Sequence, residues 1–390
     1  MVNGSAKHDM MYKTNLLAIL NCIRQFGPIK RQDIQKRTGQ SWGTISSISA
    51  HLLSKGVLTE EKDSYKGTGR TPYLLDINST DNLVIGLDIN IDGLDVVVID
   101  LKHRVLFEKS QAITTTDRNS IMNQVRALIA NILSTDSFTS NRFIGIGIAM
   151  QGSIDAKGGI SRYAPFFRDW ANVPLKEILE QEFGIPVSIL HDPSCVALAE
   201  HWVGHAQSVD NFLLVRVSNG IGVGVFIDGK TYSGHEGVAG EIGHMTVQVG
   251  GVPCYCGGEG CLESYSSAQG IIKSAMRCGI VDGETKMEDL VAKARSGEEP
   301  YLTLFDDAGK YLGVALSNVV NLLNPEMIVL CGSMMDYYDL LKQKMDDVLS
   351  YNKWDYATVK IEISQLEHGA AIGAATYIVK MVLSGQIEIT

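Results

Sequence analysis

Three cysteines lie within eight residues, in the glycine-rich segment Cys254-Tyr-Cys256-Gly-Gly-Glu-Gly-Cys261. The glycines let the backbone turn so that the three sulfur atoms can converge on one point. Tetrahedral zinc needs a fourth ligand, and His244 lies ten residues upstream of Cys254. Seven cysteines in 390 residues are too few for a disulfide scaffold, and this context favours a metal over a disulfide. The sequence therefore predicts one structural zinc ion per chain, held by His244, Cys254, Cys256 and Cys261.

Acidic and imidazole side chains surround this motif in the sequence. Glu241 and His244 belong to the glycine-rich run that begins at Gly234, and Glu263 follows the last cysteine of the motif. Carboxylates and imidazoles together suit neutral polyols, because hydroxyl groups both donate and accept hydrogen bonds. The alternative is that these groups only orient the zinc ligands, which is a stronger alternative for Glu263 than for Glu241.

Composition narrows the class of protein. Hydrophobic residues make up 45% and charged residues 20% of the chain, which is ordinary for a globular protein and argues against disorder. No apolar run reaches the roughly 18–20 residues that span a bilayer, and Met1–Met11 has no apolar signal core. We therefore expect a cytoplasmic protein with no membrane partner. The cysteines outside the motif are expected to be small buried residues: Cys22, Cys195, Cys278 and Cys331.

The first 77 residues differ from the remainder in charge. They contain eleven Lys/Arg and six Asp/Glu, a net charge of +5, whereas the rest of the chain carries −15. A basic segment on an acidic body indicates that only this segment meets a polyanion.

The same segment has the pattern of a winged helix-turn-helix. Helical spacing and stop signals predict a helix before Gly27-Pro28, a second over Arg31–Thr38 and a third that begins at Ser41. Two short strands then flank a polar loop. We expect residues 1–77 to form a domain that binds double-stranded DNA, with the third helix in the major groove; the alternative is a helical protein-interaction module. The expected DNA contacts are Trp42, Thr44, Ser46, Ser47 and, in the loop, Arg70.

Residues 78–390 predict an α/β body. A β-meander followed by alternating helices and strands occurs twice, which indicates a duplicated fold with a ligand cleft between the halves. The predicted N-terminal lobe covers about 83–197 together with a final helix over 370–390, and the C-terminal lobe covers about 198–369.

These motifs together resemble the ROK family of repressors and sugar kinases. The resemblance rests on Gly-Glu-Ile-Gly-His at residues 240–244, on the cysteine motif through Glu263, and on the phrase from Asn321 to Gly332. The winged helix-turn-helix segment of residues 1–77, called the head below, contains Gly69-Arg70-Thr-Pro near its end. In this it resembles the repressor branch, whose members respond to xylose, N-acetylglucosamine or glucose. The resemblance implies an actin-like body of two ribonuclease-H-like lobes that assembles as a homodimer or homotetramer.

The resemblance also implies a sugar site. Glu241, His244 and Glu263 match the family's sugar-binding residues, and in that site the histidine contacts both zinc and sugar. Gly152 matches the glycine loop that lines the sugar, and His191-Asp192 matches an Asn-Asp pair. In the family's kinases that aspartate is the catalytic base, so Asp192 is a vestigial base candidate here. The implied sugar-binding set is Gly152, His191, Asp192, Glu241, His244 and Glu263.

The phosphate loop of the family's kinases is not retained. Those kinases have Asp-x-Gly-Gly-Thr after their first strand, where this chain has Asp88-Ile89-Asn90-Ile91-Asp92. The bulky Asn90 and Ile91 and the added charge of Asp92 are poorly suited to neutralising a transferring phosphoryl group. Against this, Asp192 and the glycines at 220, 222 and 224 are kept. We therefore predict a non-enzyme: a repressor of carbohydrate-utilisation genes that a monosaccharide releases from its operator. The alternatives are an ATP-dependent sugar kinase and a regulator controlled by a partner protein.

Overall fold

The computed structural model describes residues 4–63, 72–355 and 357–387. The chain divides into two compact units, one comprising Met1–His191 with Ala371–Thr390 and the other Asp192–Ala370. Both units mix helices and strands, which is the α/β class that the sequence predicts. In the described part of the chain, no helix combines the length and the apolar character needed to cross a membrane.

The first unit begins with three helices and a small antiparallel sheet. Their bounds are α1 Gly4–Phe26, β1 Ile29–Lys30, α2 Arg31–Thr38, α3 Trp42–Ser54, β2 Leu58–Lys62 and β3 Tyr73–Ile77, with sheet order β1-β3-β2. The helices pack around fully buried Ile19, Ile34 and Ile45. Ser41 caps α3 by accepting a hydrogen bond from the Thr44 backbone N–H at 3.2 Å, as expected of a serine before a helix.

The rest of the first unit is built on a five-stranded sheet. Its elements are β4 Asn82–Asn90, β5 Gly93–Asp100, β6 Val105–Gln111, α4 Arg118–Leu133, β7 Arg142–Met150, β8 Ser153–Asp155, β9 Ile160–Tyr163, β10 Ala171–Val173, α5 Leu175–Phe183 and β11 Val187–His191. The large sheet has the order β11-β7-β4-β5-β6, and β8 to β10 form a separate small sheet. Strand β4 is buried along its whole length, as a central strand covered on both faces should be.

The last helix returns to this sheet. Helix α12, Gly369–Leu383, has a small-residue face that approaches β4 and β7 closely. A Cβ atom at Gly147 would lie 2.0 Å from the carbonyl oxygen of Ala374. Only glycine fits there, so the alanine- and glycine-rich sequence of α12 serves close helix–sheet packing.

Polar contacts join the three-helix head to the sheet of the same unit. The turn between β5 and β6 supplies Lys102, which forms an ion pair with Asp76, and Arg104, whose Nη2 donates to Ser79 Oγ at 2.6 Å. Asn78 and Asn82 are buried, and their side-chain amides donate to the Gly56 carbonyl at 3.0 and 3.3 Å. The segment that connects head and sheet is therefore fixed by hydrogen bonds on both sides.

The second unit has a sheet of the same design. Its elements are α6 Asp192–Val203, β12 Phe212–Val217, β13 Ile221–Ile227, β14 Lys230–Tyr232, α7 Glu263–Ser266, α8 Ala268–Arg277, α9 Met287–Arg295, α10 Glu299–Leu323, β15 Met327–Cys331, α11 Tyr338–Asn352 and β16 Lys360–Ile363. The sheet order is β14-β13-β12-β15-β16. In each large sheet, the first strand pairs antiparallel with the next strand of the chain and parallel with a later one. These pairs are β4 with β5 and β7, and β12 with β13 and β15.

Most elements lie where the sequence predicts them, within a few residues. Among the elements that were not predicted are the helices α5, α7 and α11 and the small sheet of β8, β9 and β10. Two of these strands have only three residues each, too few for an alternating apolar pattern to be recognised.

Candidate functional site

The four predicted zinc ligands lie together in the second unit. The ligand atoms of His244, Cys254, Cys256 and Cys261 are all within 4.8 Å of one another. Cys256 Sγ lies 3.7 Å from Cys261 Sγ, and Cys254 Sγ lies 3.7 Å from His244 Nδ1. Zn–S bonds of about 2.3 Å in a tetrahedron place neighbouring sulfurs about 3.8 Å apart. The separations thus fit a single tetrahedral metal ion and are far too long for a disulfide bond.

A tight hairpin holds the cysteines in this geometry. Thr246 bridges to Cys261 and Pro253 to Glu259, and the Cys254 N–H donates to the Gly258 carbonyl at 2.8 Å. The hydrogen bond from the Gly258 backbone lowers the pKa of the Cys256 thiol, whereas burial raises the pKa of Cys261 to about 12. A bound cation favours the thiolate form of every ligand, so metal binding would release protons from this cluster.

His244 presents its two ring nitrogens to different partners. Nδ1 faces the cysteines, and Nε2 lies 3.4 Å from the hydroxyl of Tyr255. Tyr255 is only partly buried, with 60% of the residue exposed. This partial burial and the charges of Glu263 and Glu241 raise the pKa of Tyr255 above its ordinary value. Tyr255 therefore marks a point that His244, Glu263 and Glu241 all approach, although the sequence analysis had assigned it no role.

The two glutamates differ in their surroundings. Glu263 is buried at the start of α7, and its Oε2 accepts a hydrogen bond from the Ile221 N–H at 2.7 Å. Glu241 is exposed and precedes the short turn that carries His244. The backbone contact fixes the Glu263 carboxylate beside the turn between β12 and β13.

Asp192 begins α6 and is paired with a residue that sequence reasoning missed. Its Oδ2 accepts a hydrogen bond from Arg216 Nη1 at 2.6 Å. Arg216 lies on β12, between Gly222 of β13 and Cys331 of β15. A 24-residue separation hides the pair in the sequence, because it depends on α6 packing against β12.

Gly152 and His191 belong to the first unit, whereas the residues above belong to the second. Gly152 has a φ of +81°, and a Cβ atom there would lie 2.2 Å from the Tyr163 carbonyl oxygen. The sharp turn between β7 and β8 thus requires glycine. His191 ends β11 and is half-buried.

The β4–β5 turn, where a kinase would bind phosphate, closes on itself. The side-chain oxygen of buried Asn90 accepts hydrogen bonds from the backbone N–H groups of Asp92 and Gly93, at 2.8 and 3.2 Å. Its amide donates to Asp88 Oδ2 at 2.8 Å. Two backbone donors of this turn are therefore already engaged within the protein.

The predicted DNA contacts on α3 are mostly exposed. Trp42, Ser46 and Ser47 face solvent, and Trp42 is 49% exposed. Thr44 is half-buried, and its hydroxyl lies 2.8 Å from Ser41 Oγ in the cap of the helix. Arg70 lies outside the described residues.

Two of the cysteines outside the motif are not buried as predicted. Cys22 and Cys195 are buried, but Cys278 is exposed and Cys331 is half-buried. Cys278 follows the last turn of α8, where the chain leaves the helix at the protein surface.

Comparison with known proteins identifies the family. The model of the ROK family matches residues 84–381, most of the chain. The chain belongs to the ROK family. The xylose repressor of Caldicellulosiruptor bescii is 27% identical over 392 residues, covering 97% of this chain and 98% of that protein. The transcriptional dual regulator NagC of Escherichia coli is 25% identical, with 97% and 95% covered.

Solved structures of ROK proteins match to different extents. A ROK family transcriptional regulator, a homologue of the E. coli MLC protein, superposes with a TM-score of 0.84 at 25% identity and covers 97% of this chain. A ROK glucokinase of Streptomyces griseus reaches a TM-score of 0.64 at 26% identity. It covers 76% of this chain but 98% of its own length. The regulator therefore matches this chain almost from end to end, and the kinase does not. These structures establish the ROK α/β fold with its actin-like sheets.

Proposed function

We propose that this ROK protein is a sugar-responsive transcriptional repressor that a monosaccharide releases from its operator. The observation that carries the proposal is the match to a ROK regulator over 97% of the chain, head included, against 76% for a glucokinase. The similarity to a xylose repressor and to NagC along nearly the whole chain supports the same function.

The head is the proposed DNA-binding part. We infer that residues 1–77 form a winged helix-turn-helix domain and that 78–390 form the sugar-sensing domain. Helix α3 offers exposed Trp42, Ser46 and Ser47 on a segment of net charge +5, which suits a phosphate-lined groove. Thr44 and Arg70 complete the proposed contact set. A protein that binds operator DNA in this way would act in the cytoplasm.

The second unit is the proposed sensor. His244, Cys254, Cys256 and Cys261 would hold one structural zinc ion, whose charge stabilises the thiolates and fixes the hairpin. His244 Nε2, Glu263 and Glu241 would bind sugar hydroxyls beside Tyr255, and Asp192 would accept a further hydroxyl. Gly152 and His191 of the first unit are proposed sugar contacts through the family resemblance.

Phosphoryl transfer is the weaker candidate. A kinase loop needs free backbone donors for the nucleotide phosphates, and two of those in the β4–β5 turn donate to Asn90 instead. Gly222 and Gly224 lie inside β13, paired with Arg216 and Leu214 of β12. The glucokinase similarity and the retained Asp192 are what keep this candidate in view.

In this proposal, binding of the sugar lowers the affinity of the protein for the operator, and binding of the operator lowers its affinity for the sugar. We expect a homodimer or homotetramer whose heads read two half-sites, and we expect bound sugar to lower operator affinity roughly 5–150-fold. Linkage then requires operator to lower sugar affinity by the same factor.

The test begins with operators selected from random-sequence duplex DNA by the full-length, zinc-loaded protein. D-Xylose, D-glucose and N-acetyl-D-glucosamine are then titrated calorimetrically with and without that duplex. We expect one sugar to bind, and to bind more weakly in the presence of DNA. No enriched sequence, or equal sugar affinity in both titrations, would contradict the repressor function. ADP release from ATP with the same sugars would instead support the kinase.

A further inference from the structure

The Arg216–Asp192 ion pair joins a proposed sugar residue, Asp192, to an arginine that neither the zinc cluster nor the family resemblance explains. Arg216 lies opposite Gly222, next to the Ile221 whose N–H donates to Glu263. The side chains of Arg216 and Asp192 are only 20% and 11% exposed, and the contact of 2.6 Å is that of a charge-assisted hydrogen bond. The arginine stays charged at any physiological pH. Its backbone is fixed between two neighbouring strands, and Asp192 is fixed at the first turn of α6.

This geometry suits a hydrogen-bond acceptor better than a general base. A general base must be able to take up a proton from the hydroxyl that it activates. One oxygen of the Asp192 carboxylate, Oδ2, is already occupied by the Arg216 guanidinium. Arg216 also fixes the direction in which the carboxylate points, because Oδ2 is held by the guanidinium.

We propose that Arg216 is the positioning residue of the effector site: it holds the Asp192 carboxylate oriented to accept a hydrogen bond from one sugar hydroxyl. Arg216 acts through Asp192 and not by touching the sugar. The effector is therefore a sugar with a free hydroxyl group facing Asp192. The ion pair serves to bind that hydroxyl and not to deprotonate it. This inference rests on the proposed sugar-sensing function.

A double-mutant cycle tests it, using Arg216→Met, Asp192→Asn and the double variant in the full-length, zinc-loaded protein. Binding of D-xylose, D-glucose and N-acetyl-D-glucosamine is measured by calorimetry. For the sugar that binds the wild type, each single variant is expected to lose affinity by roughly 10- to 100-fold, as for one hydrogen bond to a charged group. The double variant is expected to bind as Asp192→Asn does, because in the proposal Arg216 affects the sugar only through the Asp192 carboxylate. Arg216→Lys, which keeps the charge, is expected to restore part of the loss.

A matched control separates positioning from general stabilisation. Arg295→Met removes a guanidinium from the ion pair with Asp339, which lies in the same unit but is exposed at 47% and 57%. It is expected to leave sugar affinity unchanged.

The inference is overturned if Arg216→Met binds sugar as the wild type does, or if it lowers affinity further in the Asp192→Asn background. Should Arg216→Met alone not fold, the comparison of Asp192→Asn with the double variant decides, since the double variant leaves no lone buried charge. If no sugar binds the wild type, the proposed function itself fails. That result is distinct from a wild type that binds while the cycle is additive.

Discussion

The two large sheets share one strand order and one set of strand directions, yet they differ where their first hairpins turn. In the first unit, two backbone N–H groups of the β4–β5 turn donate to the side chain of Asn90, which belongs to the same turn. In the second unit, the Ile221 N–H that follows the β12–β13 turn donates to Glu263, which lies 42 residues further along the chain. A local contact closes the first turn, and a long-range contact connects the second turn to the helix that follows the cysteine hairpin. Similar scaffolds can therefore carry a self-closed turn in one half and a turn connected to the candidate site in the other.

The opposite ends of the two sheets differ as well. The β5–β6 turn holds Lys102, His103 and Arg104 against the head. The corresponding β13–β14 turn is the short Asp228-Gly229 connection, with both residues at positive φ. At this end, the first sheet contacts the head through the β5–β6 turn, whereas the second sheet has only the short β13–β14 connection.

The largest effect is expected from the candidate metal cluster, which lies in the second unit. Cys256→Ser should remove stoichiometric zinc and sugar binding together, because Glu263 follows the last cysteine and Glu241 precedes His244. A loss of several kcal/mol would lower Tm by roughly 10 °C in a unit of this size. Elemental analysis, calorimetry and thermal melts check this. Cys278→Ser, at an exposed cysteine outside the cluster, is the control. A zinc-free wild type prepared without chelator would refute the metal site.

Glu263→Gln sharpens the contrast between the two turns. The amide oxygen can still accept from Ile221 N–H, so the fold should be kept, but the charged acceptor for sugar is gone. We expect sugar affinity to fall by roughly 10- to 100-fold with zinc retained. Glu259→Gln, an exposed glutamate of the same hairpin, should bind as the wild type does. Loss of zinc from Glu263→Gln would mean that this residue only supports the metal.

Asn90→Ala tests the closed turn. It leaves the Asp92 and Gly93 N–H groups and the buried Asp88 carboxylate without the Asn90 side chain, at a cost of about 1–3 kcal/mol in the free energy of unfolding. Sugar and zinc affinity should not change. Chemical denaturation measures the loss, with the exposed Asn123→Ala expected to stay within about 0.5 kcal/mol of the wild type. If Asn90→Ala kept the stability of the wild type but no longer bound sugar, both turns would contribute to sugar binding.

The smallest effect concerns the end of the first sheet that meets the head. Burial, followed by the charge of Arg24, lowers the pKa of His103 to about 3. The unfolded histidine takes up a proton near pH 6.5 while the folded one does not, so stability falls as the pH falls from about 6.5 towards 3.

His103→Asn should remove this slope, which is at most about 1.4 kcal/mol per pH unit. Asparagine is chosen because position 103 has a φ of +64°. Unfolding free energies at pH 7 and pH 5.5 check the change, with the exposed His235→Asn as control. Equal slopes in the wild type and His103→Asn would show that His103 takes up its proton in the folded protein over the same pH range as in the unfolded chain.

The sequence predicts what is local and misses what the fold assembles. The cysteines, His244 and Glu263 are close in sequence, so their spacing was enough to expect a metal cluster with a flanking carboxylate. The pairing of Arg216 with Asp192 depends on a helix crossing a strand, and the position of the Tyr255 hydroxyl depends on the shape of the hairpin. Neither leaves a periodic or spaced pattern in the chain. Thr44 illustrates the reverse case, since its expected outward hydroxyl is engaged in the helix cap.

The hydrogen-bonded segment between head and sheet fixes the position of the head relative to the sheet of the first unit. This segment differs from a flexible tether, because an ion pair and hydrogen bonds hold it in place. The side chains that make these contacts are Lys102, Arg104, Asn78 and Asn82. In an assembly of two chains, each head would therefore stand at a distance and angle fixed by the bodies to which it is bound. Inserting one base pair between half-sites turns one of them by roughly 35° and moves it by about 3.4 Å. A tethered head would follow that displacement at small cost, but a head fixed in this way would lose its site, so the operator of this protein should tolerate almost no change in spacing.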